Sequence, residues 1–313
     1  MMDTVRQIDW ENYGFHRLQA DSAHLFRRYL SQMEPGYAST MSFASLMAWR
    51  RAVPVYYMEA EGFLQAAACD TCHGRIGWLP IMGDYRSAEM GSALAWQLEK
   101  TRQFGIRYVV TDVSGQMLPY YKKALPVAFW TQYDDGDSDY VYALEDFKRA
   151  LDTQDTRYNY NYFVRKFEPV TEVLKPRHLE SCRALISQSW CCLHCCDECG
   201  YGCQKDTAAC IISEIEQSGA TGIAVFSMGQ MVGYCIVSQE NGQIIFLFKK
   251  TKRGVRGINE FIHRECIDRF AGSADKVNYT EDMNIEGLRY YKQRLCQYEL
   301  IPRYTLMEKK KEA

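Results

Sequence analysis

GIAVFSMGQMVGYCIVSQENGQIIFLFKKTKRGVRGINEFIHRECIDRF, residues 222–270, sets the architecture of the second half of the chain. Three apolar runs of strand length, 222–226, 231–238 and 243–248, are separated by Met228-Gly-Gln and Glu240-Asn-Gly. Asn-Gly supplies the two left-handed residues a tight hairpin needs, so the three runs read as an antiparallel meander. A basic, glycine-bearing segment, Lys249-KTKRGVRG, comes next. It leads into a helix from Ile258 to Phe270 with Ile258, Phe261, Ile262, Cys266 and Phe270 on one side.

The order strand, basic glycine loop, helix has a chemical meaning. Helix N-terminal amides and the positive end of the dipole favour an anion, and Lys249, Lys250, Lys252, Arg253 and Arg256 add charge around Gly254 and Gly257. The same residues can equally be a solvated lysine-rich turn. Working outward, 167–174 is strand-like and a helix opens at Pro176 and runs toward Trp190. Asp206 is placed to cap a helix over 207–218. Beyond Phe270 the pattern gives a strand over 276–280, a helix over 284–295 and a strand over 298–307.

The first half repeats the plan in outline. Helices are expected over 21–33 and 42–49, strands over 55–59, 62–69 and 76–82, then a helix over 87–104, a strand over 107–112, a short helix near 118–124 and a strand over 127–133. The polar stretch 152–162 lacks apolar periodicity and is the expected boundary. The domain reading is therefore 1–155, then 163–307 carrying a cysteine-rich loop at 190–203, then a tail over 308–313.

The 313 residues fit about two domains at about 150 residues each. A net charge of −2 gives no global drive toward nucleic acid or anionic membrane. No run approaches the about 18 consecutive apolar residues of a membrane span, and the N-terminus has no signal-peptide run, so a cytoplasmic protein is expected. In a reducing compartment the thirteen cysteines point away from a disulfide framework. Six of them fall between Cys191 and Cys203, in CCLHCCDECGYGC. Cys192, Cys195, Cys199 and Cys203 have spacings that suit a tetrathiolate, with zinc the preferred ion, and a loop of free thiols is the alternative. Cys69-Asp-Thr-Cys72-His73 matches the c-type haem attachment pattern formally, but lies at a hairpin tip and reads as a reactive pair or an inert turn.

The element order, with its glycine turn between the fourth strand and third helix, resembles the GNAT acyltransferase fold. That family's phosphate loop reads Gln/Arg-x-x-Gly-x-Gly/Ala. Here Gly254-Val-Arg-Gly257-Ile-Asn259 keeps the central glycine. A more specific resemblance lies in TEDMNIEGLRYYKQRL from Thr280 to Leu295, in Ser42-FASLMAWRR, Leu79-Pro80, Gly83-Asp84 and Asp139-YVYALEDF. Together these are similar to bacterial proteins related to the C-terminal domain of phosphatidylglycerol lysyltransferases. The resemblance implies a mixed α+β fold of two tandem GNAT-like domains, each a mostly antiparallel sheet flanked by helices.

It also implies transfer of an acyl or aminoacyl group from a phosphate-containing donor, acyl-CoA or the 3′ end of aminoacyl-tRNA, to an amine or hydroxyl, a peripheral lipid among the acceptors. A non-catalytic ligand-binding or regulatory protein on the same fold, with a metal-stabilised cysteine loop, is the alternative. Glu281 and Asp282, just after a strand, could remove the proton from an attacking group, or could simply begin the next helix. Arg289 and Lys292 share a helical face and could hold a phosphate, while Tyr290 and Tyr291 are expected to pack.

Overall fold

The computed structural model describes residues 8–33, 37–70, 75–187 and 204–309. It divides into two units, residues 1–139 with 301–313, and residues 140–300.

The first unit contains β1 (His16–Arg17), α1 (Ala23–Leu30), α2 (Phe43–Trp49), β2 (Val55–Ala60), β3 (Phe63–Asp70), β4 (Arg75–Trp78), α3 (Met90–Gln103), β5 (Val109–Ser114), α4 (Leu118–Ala124) and β6 (Phe129–Tyr133). Ser42 begins α2 by accepting a hydrogen bond from the amide of Ser45. The core is aromatic-rich: Phe15, Phe26, Phe43, Phe63, Trp78, Tyr108 and Tyr121 are fully buried. Trp78 satisfies its indole N–H on Thr101 at 2.7 Å.

The second unit contains β7 (Asp139–Ala143), α5 (Leu144–Leu151), α6 (Gln154–Phe167), β8 (Val170–Val173), α7 (Leu179–Ile186), α8 (Gln204–Ser213), β9 (Ala220–Ser227), β10 (Gln230–Glu240), β11 (Gln243–Thr251), α9 (Ile258–Phe270), β12 (Lys276–Asn278), α10 (Glu286–Gln293) and β13 (Glu299–Ile301). A final strand, β14 (Arg303–Glu308), returns to the first sheet. The sheet orders are β1-β2-β3-β4-β5-β14-β6 and β13-β7-β12-β11-β10-β9-β8.

The meander β9-β10-β11 is antiparallel as read, with left-handed residues at Met228-Gly229 and Asn241-Gly242 in its turns. The helix over 258–270 also has the expected limits. Three readings change. The stretch over 298–307 is two strands in different sheets, interrupted at Pro302, which has no N–H to give to a ladder. The expected boundary over 152–162 is mostly helix: Thr153 caps α6, and Tyr160, Phe163, Val164 and Phe167 turn toward the core. Unit division falls instead at 139/140 and 300/301. Asp206 lies inside the first turn of α8 rather than at its cap.

The cysteine run over 190–203, with the proposed ligands Cys192, Cys195, Cys199 and Cys203, lies outside the described residues, as do Cys72 and His73. Cys69 is buried at the end of β3, and burial pushes its thiol up to about 12, which makes it unreactive at neutral pH.

Candidate functional site

Two adjacent strands of the second sheet part company, and the site forms where they do. β11 and β12 run parallel and pair only over Gln243–Ile245 and Lys276–Asn278. Beyond that point β11 stays with β10 as far as Gly233 opposite Thr251, with an irregularity between Ile236 and Val237 that leaves Leu247 unpaired. The chain leaving β12 stays with β7: the amide of Tyr279 donates to the Tyr140 carbonyl at 2.8 Å, and the amide of Tyr140 donates to the Thr280 carbonyl at 3.1 Å.

Lys249 rises from β11 at this fork. Its ammonium donates to the Tyr291 hydroxyl at 2.8 Å and lies 3.1 Å from His263 Nε2. It also sits over the Tyr279 and Tyr291 rings, at 5.3 Å and 4.8 Å from their centroids. The Tyr279 hydroxyl reaches the same imidazole nitrogen at 2.8 Å. His263 comes from the second turn of α9 and is boxed by Phe147, Phe246 and Tyr279. Burial first, and the Lys249 charge second, hold its pKa well below the ordinary imidazole value. The ring is therefore neutral, with Nε2 as the acceptor and the proton on Nδ1. Alternation along the strand sends Lys250 to the opposite face, away from this group.

The loop after β12 is held by two clamps. Lys292 is buried, and its three N–H groups are spent on the carbonyls of Tyr279 at 2.6 Å, Thr280 at 3.2 Å and Glu281 at 2.6 Å. Asp282 has no exposed side-chain surface and receives Arg289 Nε at 2.9 Å, Arg289 Nη2 at 3.2 Å, the Tyr140 hydroxyl at 2.7 Å and the amide of Asn284 at 2.8 Å. Burial alone would raise its pKa; the hydrogen bonds from Arg289, Tyr140 and Asn284 outweigh burial and hold it below the usual carboxylate value. Thr280, Met283 and Asn284 adopt positive φ, so the clamps hold a backbone that side-chain-bearing residues rarely take up.

The sequence-expected residues therefore separate into groups. Lys249 joins a buried aromatic cluster rather than the loop. Lys252, Arg253 and Arg256 are exposed around Gly254 and Gly257. Arg256 is partly engaged: its Nε donates to Asn159 at 2.8 Å, and its guanidinium lies over Tyr158 and Tyr162. Gly257 begins α9 with φ +86°, and a Cβ there would overlap the Asn159 carbonyl oxygen and lie 2.8 Å from Phe163 Cβ. Arg289 and Lys292 are committed to Asp282, Asn284 and the loop carbonyls, so their geometry is that of loop anchors rather than phosphate ligands. Asp282, holding four donors with a lowered pKa, is a poor proton acceptor.

Sequence reasoning missed His263, Tyr140, Tyr279 and Tyr291. A histidine inside the apolar stripe of α9 was the available signal. Tyr290 is 61% exposed and stacks with Arg294, whereas Tyr291, expected only to pack, contacts Lys249. Among the described residues no helix is long and apolar enough to cross a membrane, and no group of three or more His, Cys, Asp or Glu is arranged to hold a metal.

The fold matches solved structures along almost its whole length. A conserved protein from Bacteroides thetaiotaomicron superposes with a TM-score of 0.83 at 19% identity, covering 94% of this chain and 99% of that one. The structure of L-PGS from Bacillus licheniformis gives 0.64 at 14% identity, with 93% and 92% covered. A tandem GNAT protein from the clavulanic acid biosynthesis pathway gives 0.54 at 12% identity, with 95% and 99% covered. At these identities the likeness is one of fold: mixed α+β and GNAT-like, two antiparallel-rich sheets flanked by helices. No curated protein sequence matches the chain. The family model for the C-terminal region of phosphatidylglycerol lysyltransferase matches residues 34–307, and the chain belongs to that family.

Proposed function

We propose that the chain transfers an acyl or aminoacyl group from a phosphate-containing donor, an aminoacyl-tRNA or an acyl-CoA, to an amine or hydroxyl acceptor. The observation that carries this reading is the parting of β11 from β12 over Lys249, Tyr279 and Tyr291. An opening between parted strands can admit a reacting carbonyl, and a cation held there stabilises the charge that develops on its oxygen. The family is named for phosphatidylglycerol lysyltransferase, an enzyme that by that name transfers a lysyl group to phosphatidylglycerol, and membership supports the same reaction class here.

In this reading the acceptor's nitrogen or oxygen bonds to the donor carbonyl carbon, the carbonyl becomes an oxyanion beside Lys249, and the donor's ester or thioester bond breaks. The acceptor loses its proton to Glu281, since Asp282 is consumed as an anchor, and that proton passes to the departing oxygen or sulfur, so that the donor leaves as the free tRNA hydroxyl or the CoA thiol. Lys252, Arg253 and the first amides of α9 after Gly257 receive the donor's phosphates, with Arg256 oriented by Asn159.

Binding titrations with CoA and with a total aminoacylated tRNA fraction test the donor loop. Replacing Lys252 and Arg253 together by alanine is expected to weaken the productive donor by about tenfold or more. Unchanged affinity for both probes refutes the assignment. One observation favours a second reading, a binding protein without catalysis: the motif residues Asp282, Arg289 and Lys292 are taken up by the loop's own architecture. A transfer assay separates the two.

A further inference from the structure

Among the described residues four strands end the two sheets, and three of them carry the usual protections against pairing with another chain. β1 has two residues; β8 carries Glu172, paired with Arg177; β13 has three residues and carries Glu299. β6 differs. Its five residues, Phe129-Trp-Thr-Gln-Tyr133, contain no charge and no proline, and its ladder with β14 is regular from Phe129 to Tyr133. Trp130 is 41% exposed and Tyr133 44%, and Thr131 and Gln132 are exposed as well. An exposed, regular, uncharged edge of this kind is a template for strand addition.

The register of any such pairing can be worked out. The amide of Lys309 donates to the Ala128 carbonyl, so Ala128 belongs to the set of β6-side residues whose backbone groups face β14. Alternation then gives Trp130 and Gln132 to β14 and turns the N–H and C=O of Phe129, Thr131 and Tyr133 outward. A two-fold axis at Thr131 places these three groups opposite the same three in a second copy: Thr131 faces Thr131, and Phe129 faces Tyr133. All six outward N–H and C=O groups of each strand find partners. The cross-strand pairs are aromatic with aromatic and threonine with threonine, both favourable.

Charge also selects an antiparallel second copy. The segment before β6 carries exposed Lys122 and Lys123, and the segment after it carries the exposed acids Asp134, Asp135 and Asp137. Antiparallel pairing directs each copy's acidic flank toward the other's basic flank, and parallel pairing would set like against like. We propose that β6 is the interface of a homodimer, pairing antiparallel with the β6 of a second copy about Thr131.

The test uses the full chain and sedimentation equilibrium over a concentration series. Wild type is expected to rise toward the mass of two chains as concentration increases. Thr131→Lys and Thr131→Glu each place like charges face to face on the axis, at an exposed position that leaves the β14 ladder intact. Each variant is expected to associate about tenfold more weakly, with an unchanged circular dichroism spectrum, and an equimolar mixture of the two is expected to recover association. Wild type that stays at one chain throughout overturns the proposal. So does association that persists equally in both folded variants, or a mixture that fails to recover it.

Discussion

The ammonium of Lys292 lies 2.6 Å from the carbonyl oxygen of Tyr279 and spends its other two N–H groups on the next two carbonyls, those of Thr280 and Glu281. A cation on α10 thus fixes the backbone at the fork of the second sheet. Lys292→Met takes the ammonium away from the Tyr279 carbonyl and its neighbours, of which Thr280 keeps the Tyr140 amide, and the expected loss is about 2 kcal/mol of unfolding free energy. Urea unfolding followed by fluorescence measures it. A loss below about 0.5 kcal/mol would mean that the loop holds its shape without the clamp.

Asp282→Asn removes the charge that faces Arg289 while keeping the side-chain volume. The cost at pH 7 is expected to be about 2 kcal/mol, since Asp282 is fully enclosed and Arg289 loses its counter-charge while keeping the Asn284 side-chain oxygen. The folded pKa of Asp282 lies below its unfolded value, so its contribution is fully present above the unfolded carboxylate pKa of about 3.9 and is lost as pH falls through the folded pKa. The gap between wild type and variant should therefore close in urea titrations run at successively lower pH below about 4. A gap that stays constant to pH 2 would contradict this.

His263 gives a second and separate acid sensitivity. Its folded pKa is depressed by burial and by Lys249, so the unfolded chain binds the proton first as pH falls. Stability is unaffected above the unfolded value of about 6.5 and declines below it by up to about 1.4 kcal/mol per pH unit, until the folded pKa is reached. His263→Phe fits among Phe147, Phe246 and Tyr279, loses the acceptor used by Tyr279 and should flatten the pH dependence between about 6.5 and 5. A wild-type chain with no slope in that window would show that His263 charges while folded.

The two glycines of the basic loop should respond differently. Gly254→Ala meets no atom within 4 Å and bears only its positive φ of 76°, which costs about 1 kcal/mol. Gly257→Ala, at φ +86°, also collides with the α6 backbone and should cost at least about 2 kcal/mol more. Thermal unfolding of the two variants side by side checks the ordering. Equal losses would show that α6 is free to yield at Asn159.

Local pattern and tertiary arrangement contributed unequally to what could be read in the sequence. The meander and the helix over 258–270 were legible because alternation, Asn-Gly and a one-sided apolar stripe are local signals. The helix over 154–167 also carried such a signal: Tyr160, Phe163, Val164 and Phe167 follow i, i+3, i+4, i+7, masked by the many polar neighbours. The division at Pro302 was not legible, because which sheet a strand joins depends on strands far away in the chain. The site behaves the same way. Asp282 was found by its position after a strand, but its role is set by Tyr140, 142 residues earlier. Lys249 was found as one charge in a run, whereas His263 and Tyr291, which define its surroundings, were indistinguishable from core residues in a linear pattern.

The central claim, that the parted strands around Lys249 form a group-transfer site, is tested most directly by incubating the purified chain with radiolabelled aminoacylated tRNA or acetyl-CoA and a mixed pool of amine and hydroxyl acceptors, phosphatidylglycerol vesicles included. Wild type should move label from one donor into an acceptor, and Lys249→Met should slow that transfer by at least about a hundredfold while leaving donor affinity within a few-fold. Absence of transfer from both donors by the wild-type chain, or full activity in Lys249→Met, would contradict the account.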